Sequence, residues 1–294
     1  MLFKRLIDHI LKKYRYELIR IPSDIKITSS YHSDQPDTSH EWSNPFDILK
    51  KKWDEVPVSS IERKKTKDLL KLSDDELRLE WLRAREDITT GTQFQHRGWY
   101  HLLYSESMRD KKVMDVGSGF AIDSITFALN GAQLTFIDIV EENLEVVRRL
   151  CSIFGIKNSQ FHLLDSLESL RNLHNDYDVI MAMGSLHHAP EHVIKLEVNE
   201  LIKHLKIGGR WLQLAYPITR WEREGCLPFN EWGERTDGKG TPWAEAYDIK
   251  KLLSLFETAV FDVVICVEFH NNDFIWFDLI YRGDKIQEND SLLV

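Results

Sequence analysis

From residue 111 onward the sequence alternates short apolar runs with amphipathic ones, and this alternation constrains the fold more than any other feature. Val113-Met-Asp-Val116 reads as a short buried strand, and Phe120–Asn130 reads as a helix ended by Gly131. Gln133–Ile139 is the next strand. Glu141–Phe154 is then a helix with acids at its start, Arg148 and Arg149 near its end, and Gly155 as its stop. Phe161–Leu164, Asp178–Met183 and Trp211–Ala215 continue the strands, with a helix over about 191–205 between the last two. Strands separated by helices imply a parallel sheet with right-handed crossovers. The end of the chain differs. Phe261–Phe269 and Phe274–Arg282 are rich in β-branched and aromatic residues, and only His270-Asn-Asn-Asp273 separates them. So short a link cannot make a parallel crossover, which predicts an antiparallel pair finishing the sheet.

The first 110 residues have another texture and read as a helical N-terminal extension to a domain over 111–294. Leu2, Phe3, Leu6, Ile7, Ile10 and Leu11 fall at helical spacing, and residues 1–20 hold six Lys/Arg against two Asp/Glu. Such a helix packs on its own domain or a second subunit, or docks on an anionic membrane surface. Residues 22–46 are polar with three prolines and read as a loop or extended arm. Residues 59–86 read as helical, with capping-box spacing in Ser73-Asp-Asp-Glu76, and a further helix is predicted over about 92–106.

The 294 residues, 43% hydrophobic and 29% charged, suit an ordinary globular chain with a sizeable core. A net charge of −9 argues against general nucleic-acid binding, which needs a surplus of Lys and Arg. The three cysteines, Cys151, Cys226 and Cys266, form no CxxC pair, so neither a disulfide framework nor a cysteine zinc site is expected and a cytoplasmic location fits. No run approaches the eighteen or so apolar residues that span a bilayer.

The turn Asp115-Val-Gly117-Ser118-Gly119-Phe-Ala-Ile122 joins the first strand to its helix. Glycines there let a ligand approach the backbone, and the helix start offers unpaired N–H groups. A dinucleotide fingerprint requires glycine at position 122, where this chain has Ile122. Asp115 also sets a carboxylate where a pyrophosphate would be repelled, whereas it suits a ligand carrying an ammonium and a sulfonium, as S-adenosylmethionine does. Asp138, at the end of the second strand, is placed to accept hydrogen bonds from ribose hydroxyls, with Ile139 beside it. Asp165, followed by Ser166, ends the third strand and is placed to meet an adenine amino group. A plainer account of each residue remains: the glycines serve a tight turn, Asp138 caps the following helix, and Asp165 caps the short helix after it.

Taken together these segments resemble the class I S-adenosylmethionine-dependent methyltransferases. VMDVGSGFAID is similar to their first motif, TFIDIVEENLEVV to the second-strand acid and its helix, and HLLDS to the adenine-side acid. DYDVIMAMGSLHHAP is similar to their fourth strand with the loop that faces substrate, and LKIGGRWLQLAYP to the turn and fifth strand. The departure is Ala121, where the family usually has a further glycine. The resemblance implies a doubly wound, Rossmann-like α/β fold, mostly parallel with a C-terminal antiparallel hairpin strand. It implies S-adenosylmethionine as cofactor, held by Asp115, Gly117, Ser118, Gly119, Asp138, Ile139, Asp165, Ser166 and Gly184. Arg97, one helical face with Gln93 and Tyr100, is placed to meet the methionine carboxylate.

Methyl transfer is an in-line displacement on an already activated methyl, so alignment supplies much of the rate, and an alcohol or phenol acceptor also needs a base. His187 and His188, after the fourth strand on the carboxyl-end side of the sheet, are the candidate bases, and no metal site is expected from them. Residues 216–247 are long for a connection and carry Trp221, Trp232 and Trp243 among many charges, so they read as a substrate lid or a dimer contact. Within it Trp221 and Trp243 are candidates for stacking, and Glu222, Glu231, Asp237 and Glu245 for orienting hydroxyls or amines. The expected activity is methyl transfer to oxygen or nitrogen of a small molecule or glycan; the basic amphipathic start resembles those of some bacterial saccharide-modifying methyltransferases, which implies a sugar-type acceptor. An NAD-dependent oxidoreductase and a non-catalytic adenosylmethionine-binding partner subunit are the competing readings.

Overall fold

The computed structural model describes residues 44–59, 62–89 and 98–285. The amphipathic start, most of the 22–46 arm, and Gln93 and Arg97 lie outside the described residues. Within them the chain runs α1 (Pro45–Trp53), β1 (Glu55–Pro57), β2 (Arg63–Lys65), α2 (Thr66–Leu69), α3 (Asp74–Thr89) and α4 (Trp99–Tyr104) before the sheet begins. It continues β3 (Lys112–Val116), α5 (Ile122–Leu129), β4 (Gln133–Asp138), α6 (Glu141–Ile153), β5 (Ser159–Leu163), β6 (Tyr177–Met183) and α7 (Glu191–Leu201). The last part is β7 (Leu205–Pro217), α8 (Ile218–Arg223), α9 (Phe229–Asp237), β8 (Ala246–Tyr247), α10 (Ile249–Leu255), β9 (Ala259–Phe269) and β10 (Phe274–Asp284).

The strand order is β5-β4-β3-β6-β7-β10-β9, with the two-residue β8 joined to the end of β7. β3 pairs in parallel with β4 and β6, β4 with β5, and β6 with β7, whereas β10 runs antiparallel between β7 and β9. This is the doubly wound, mostly parallel α/β sheet with an antiparallel finish that the alternation implied. The order reverses at β3, whose neighbours are β4 on one side and β6 on the other. Ligands bind at such a switch point, in the crevice beyond the strand carboxyl ends.

Both faces of the sheet are covered, as its continuous apolar strands require. Met114, Val116, Ile137, Ile180, Ala182 and Trp211 point to one core, while Val113, Phe136, Val179, Met181 and Leu212 point to the other. The period of two along each strand sorts them. The first core is closed by α7, α10 and the 216–247 segment, the second by α3, α5 and α6. Val56, Leu69, Leu77 and Trp81 belong to that second core, so the described part of the N-terminal extension shares a hydrophobic core with the sheet.

Two expectations need correction. The predicted helix over 59–86 is broken: Arg63–Lys65 pairs antiparallel with Glu55–Pro57, and the long helix starts only at Asp74. Its start is the predicted capping box, with the Ser73 N–H donating to Glu76 Oε2 at 2.8 Å and the Glu76 N–H returning to Ser73 Oγ. Pro45 and Phe46, placed in the polar arm, open α1, where proline at a first helical position costs no hydrogen bond. Among the described residues no helix is long and apolar enough to cross a membrane.

Trp81 anchors the extension. It is fully buried, packs its ring 4.7 Å from that of Phe154 beyond α6, and its indole N–H has no hydrogen-bond partner among the described residues. Trp81→Ala is expected to cost about 3–5 kcal/mol in urea unfolding, the usual range for emptying a large core site. Trp81→Phe, which removes an unpaired N–H along with part of the ring, is expected to cost markedly less.

Candidate functional site

The turn after β3 is built around contacts that only a missing side chain allows. Gly117 has φ +73°, and a Cβ there would sit 2.4 Å from Ser185 Cβ, so no other residue fits without moving the loop after β6. The Gly117 and Ser118 N–H groups both donate to the Ile137 carbonyl, at 2.8 and 3.1 Å, which stitches the turn to β4. Ala121, at the N-cap of α5, has φ +51°. This is the position where glycine was the expected residue, and an alanine held in the left-handed region carries strain of about 1 kcal/mol.

Asp138 ties the pieces together. Its Oδ2 accepts from the Gly119 N–H at 2.9 Å, and its Oδ1 accepts from the Val140 N–H at 2.9 Å and from Asn143 Nδ2 at 3.1 Å. Asn143 Oδ1 in turn accepts from Thr66 Oγ1 at 2.6 Å, reaching into the N-terminal extension. One carboxylate thus fixes the glycine turn, the end of β4 and the start of α6. Burial raises its pKa to about 6 against the pull of those donors. Asp115 is also buried, accepts from Ser124 Oγ at 2.6 Å, and is raised to about 7, chiefly by burial and further by Asp123 and Asp138.

These groups line a cavity of about 330 Å³ at the switch point. Asp115, Gly117, Ser118, Gly119, Asp138, Ile139 and Gly184 all lie in its wall, which brings together seven of the residues nominated from sequence. Asp165 and Ser166 are not in the lining and are exposed. The reason is the local turn: β5 ends at Leu163, the Leu164 N–H bonds to the Asp138 carbonyl, and the Leu164 side chain takes the inward place. His188 lines the cavity. His187 does not; it is buried behind it, between the rings of His188 and Tyr216 at 4.1 and 4.6 Å.

The 216–247 segment is ordered and contributes differently from expectation. Trp221, Glu222, Trp243 and Glu245 are all outside the cavity lining. Trp221 donates to the Leu227 carbonyl at 2.8 Å, and Glu222 is exposed. Trp243 donates to Glu245 Oε1 at 2.9 Å while Lys251 holds Oε2 at 2.6 Å, so this pair clamps the segment to α10. Tyr216, Thr236 and Asp237 reach the cavity instead.

Residues from the N-terminal extension complete the wall: Phe46, Trp53, Glu55 and Arg63, with Phe274 from β10. Arg63 donates to Asp237 Oδ1 at 2.9 Å and lies 5.2 Å over the Trp53 ring, which packs 4.3 Å from His188. Nothing in the sequence marks this pairing, because residue 63 meets residue 237 only through the fold. The β-branched and charged run around the β1–β2 hairpin was the one legible signal, and helical spacing masked it.

The His188 ring is held in one tautomer. Its Nδ1 donates to the Trp243 carbonyl at 3.2 Å, which leaves Nε2 as a lone pair 3.9 Å from Asp237 Oδ2. Burial lowers the pKa of His188, opposed by Asp237, and lowers that of His187 well below its ordinary value, so both rings are neutral near pH 7. Asp237 Oδ2 also accepts from the Tyr216 hydroxyl at 2.8 Å.

Residues 113–209 match a family model described as a methyltransferase domain. Those residues are a methyltransferase domain. The chain is similar to ubiquinone biosynthesis O-methyltransferases, at 32% identity over 106 residues to that of Bordetella parapertussis and 37% over 93 residues to that of Yersinia enterocolitica. Those matches cover 36% and 31% of this chain and 42% and 38% of the relatives, so the chain spans less than half the length of the curated relatives it matches. Among solved structures it is similar to magnesium protoporphyrin IX methyltransferase from Synechocystis PCC 6803 with bound SAH, at 16% identity and a TM-score of 0.46, covering 82% of this chain and 95% of that one.

The methyltransferase domain's cofactor fits the residues present. Asp115, Asp123 and Asp138 bring three acidic side chains to one wall, and burial penalises the ionisation of Asp115 and Asp138 until a cation arrives. S-adenosylmethionine brings an ammonium and a sulfonium. For the apo protein the sign follows from raised acid pKa values: the folded state holds protons that the unfolded chain releases, so stability falls as pH climbs from about 4 to about 7. Cofactor binding has the opposite dependence, because a cation favours the ionised acids. S-adenosylmethionine affinity, measured by equilibrium dialysis, is expected to tighten as pH rises through 6 to 7. Asp115→Asn is expected to flatten that profile, and an unchanged wild-type affinity across the range would remove the argument.

Proposed function

We propose that the protein transfers the methyl group of S-adenosylmethionine to the hydroxyl of a small, ring-bearing acceptor of the phenol type. The observation that carries this reading is the cluster in the cavity wall: His188 with Nε2 unprotonated, Asp237 beside it, and the Tyr216 hydroxyl bonded to Asp237. Asp138 would take the ribose hydroxyls, with Gly117 and Gly119 letting the ligand lie against the backbone. Asp115 would face the cationic methionine end. When bound, the cofactor supplies an activated methyl, and what this chain adds is alignment and a means of removing the acceptor's proton.

Acidity chooses the acceptor. A neutral imidazole whose pKa burial has lowered is a weak base, and proton transfer follows the gap between donor and acceptor. A phenol, near 10 on the usual scale, is the hydroxyl nearest to an imidazole's range, whereas an aliphatic hydroxyl lies much further away. The walls agree, since Phe46, Trp53, Tyr216 and Phe274 offer flat apolar faces for a ring. This moves the acceptor from the sugar type towards a phenol. Support for oxygen rather than nitrogen also comes from the relatives named as ubiquinone biosynthesis O-methyltransferases.

The test is methyl transfer from labelled S-adenosylmethionine to a panel containing a simple catechol and a pyranoside. The catechol is expected to be the better acceptor, and His188→Gln to lower kcat by about 10²–10⁴-fold while leaving affinity for the demethylated cofactor unchanged. A His188→Gln protein with wild-type kcat would sink the assignment of the cluster.

A further inference from the structure

The same cluster has a feature that proton removal alone leaves unexplained. His187 is only 2% exposed, and neither of its ring nitrogens has a hydrogen-bond partner among the described residues. Buried imidazoles ordinarily have at least one nitrogen engaged, and one that does not is a candidate for another kind of bond. One donor atom from each of His187, His188 and Asp237 lies within 4.8 Å of the other two.

We propose that His187, His188 and Asp237 form a binding site for a divalent cation of the zinc type. The inference rests on the reading of this wall as the acceptor side; a cation on His188 Nε2 would take over that nitrogen's part by lowering the pKa of a bound acceptor oxygen, whose proton then leaves to solvent. Two imidazoles and a carboxylate are a recognised three-ligand set that leaves a further position open for water or an acceptor oxygen. The surrounding groups hold the ligands as metal sites require. The Trp243 carbonyl takes the Nδ1 proton of His188 and so presents its Nε2, while Tyr216 and Arg63 each donate to one oxygen of Asp237.

The neighbouring charges narrow the ion. Arg63 and Lys52 act on His188, and Arg220 on His187, so positive charge already faces the site from three elements. A hard cation held mainly by charge, such as Mg²⁺ or Ca²⁺, is disfavoured there. Zn²⁺ or Co²⁺ gains from imidazole lone pairs, which carry no formal charge to be cancelled. Metal–ligand distances of about 2.0–2.2 Å require the three donor atoms to close up by side-chain rotation.

The test uses full-length protein without an affinity tag, stripped with a chelator and titrated with Co²⁺ alone. One equivalent is expected to give the visible d–d bands of a low-coordinate Co²⁺ site, to be displaced by Zn²⁺, and to be unaffected by Mg²⁺. His187→Phe, which keeps a ring between Tyr216 and His188, and Asp237→Asn are each expected to weaken Co²⁺ binding by about tenfold or more. Circular dichroism identifies a variant that fails to fold, in which case the other carries the test. The absence of a saturable band, or undiminished binding in the folded variants, would overturn the site. Neither result touches the wider reading, which fails separately if wild-type protein does not bind the demethylated cofactor.

Discussion

The buried carboxylate of Asp138 is the constraint on which the rest of the site depends. A charge taken out of water needs several donors, and here they come from the glycine turn, the strand end and the next helix at once. Because the Gly119 N–H is one of them, the turn's geometry is set by β4 as much as by its own sequence. Because Asn143 is another, and is itself bonded to Thr66, the same carboxylate couples the sheet to the N-terminal extension. The extension in turn forms one side of the cavity.

A second tie works elsewhere in the cavity wall. Arg63 on β2 meets Asp237 at the end of α9, and Asp237 also holds the Tyr216 hydroxyl. Two segments far apart in sequence, 44–65 and 216–247, thereby close over the carboxyl ends of β3, β4 and β6. The clamp of Trp243, Glu245 and Lys251 holds the second segment down, and the Glu245 N–H donates to the His187 carbonyl at 2.6 Å. Of the residues first suspected of touching an acceptor, Trp243 and Glu245 fix the segment, whereas Asp237 reaches the cavity.

The sheet was readable because its signals are local and periodic. Alternating apolar strands, helices stopped by glycine, and a four-residue link at 270–273 determine direction and pairing almost by themselves. One wall of the cavity was readable for a related reason: Asp115, Gly117, Gly119 and Asp138 sit at fixed places on consecutive β-α units. The N-terminal hairpin was not readable, since Glu55–Pro57 and Arg63–Lys65 are three-residue strands whose only support is each other and the domain beneath. Asp165 lies outside the cavity lining because the chain turns after Leu163 and the Leu164 side chain takes the inward place. His187 and His188 could be nominated from sequence but not ranked, because burial, tautomer and the approach of Asp237 are properties of the fold.

The most direct measurement is a crystal structure of the protein with the demethylated cofactor. The account predicts ribose hydroxyls within hydrogen-bond distance of Asp138, the amino-acid end beside Asp115, and sulfur facing His188 and Asp237 across open space. A ligand bound without contact to Asp138, or a sulfur walled off from His188 by the chain itself, would contradict it.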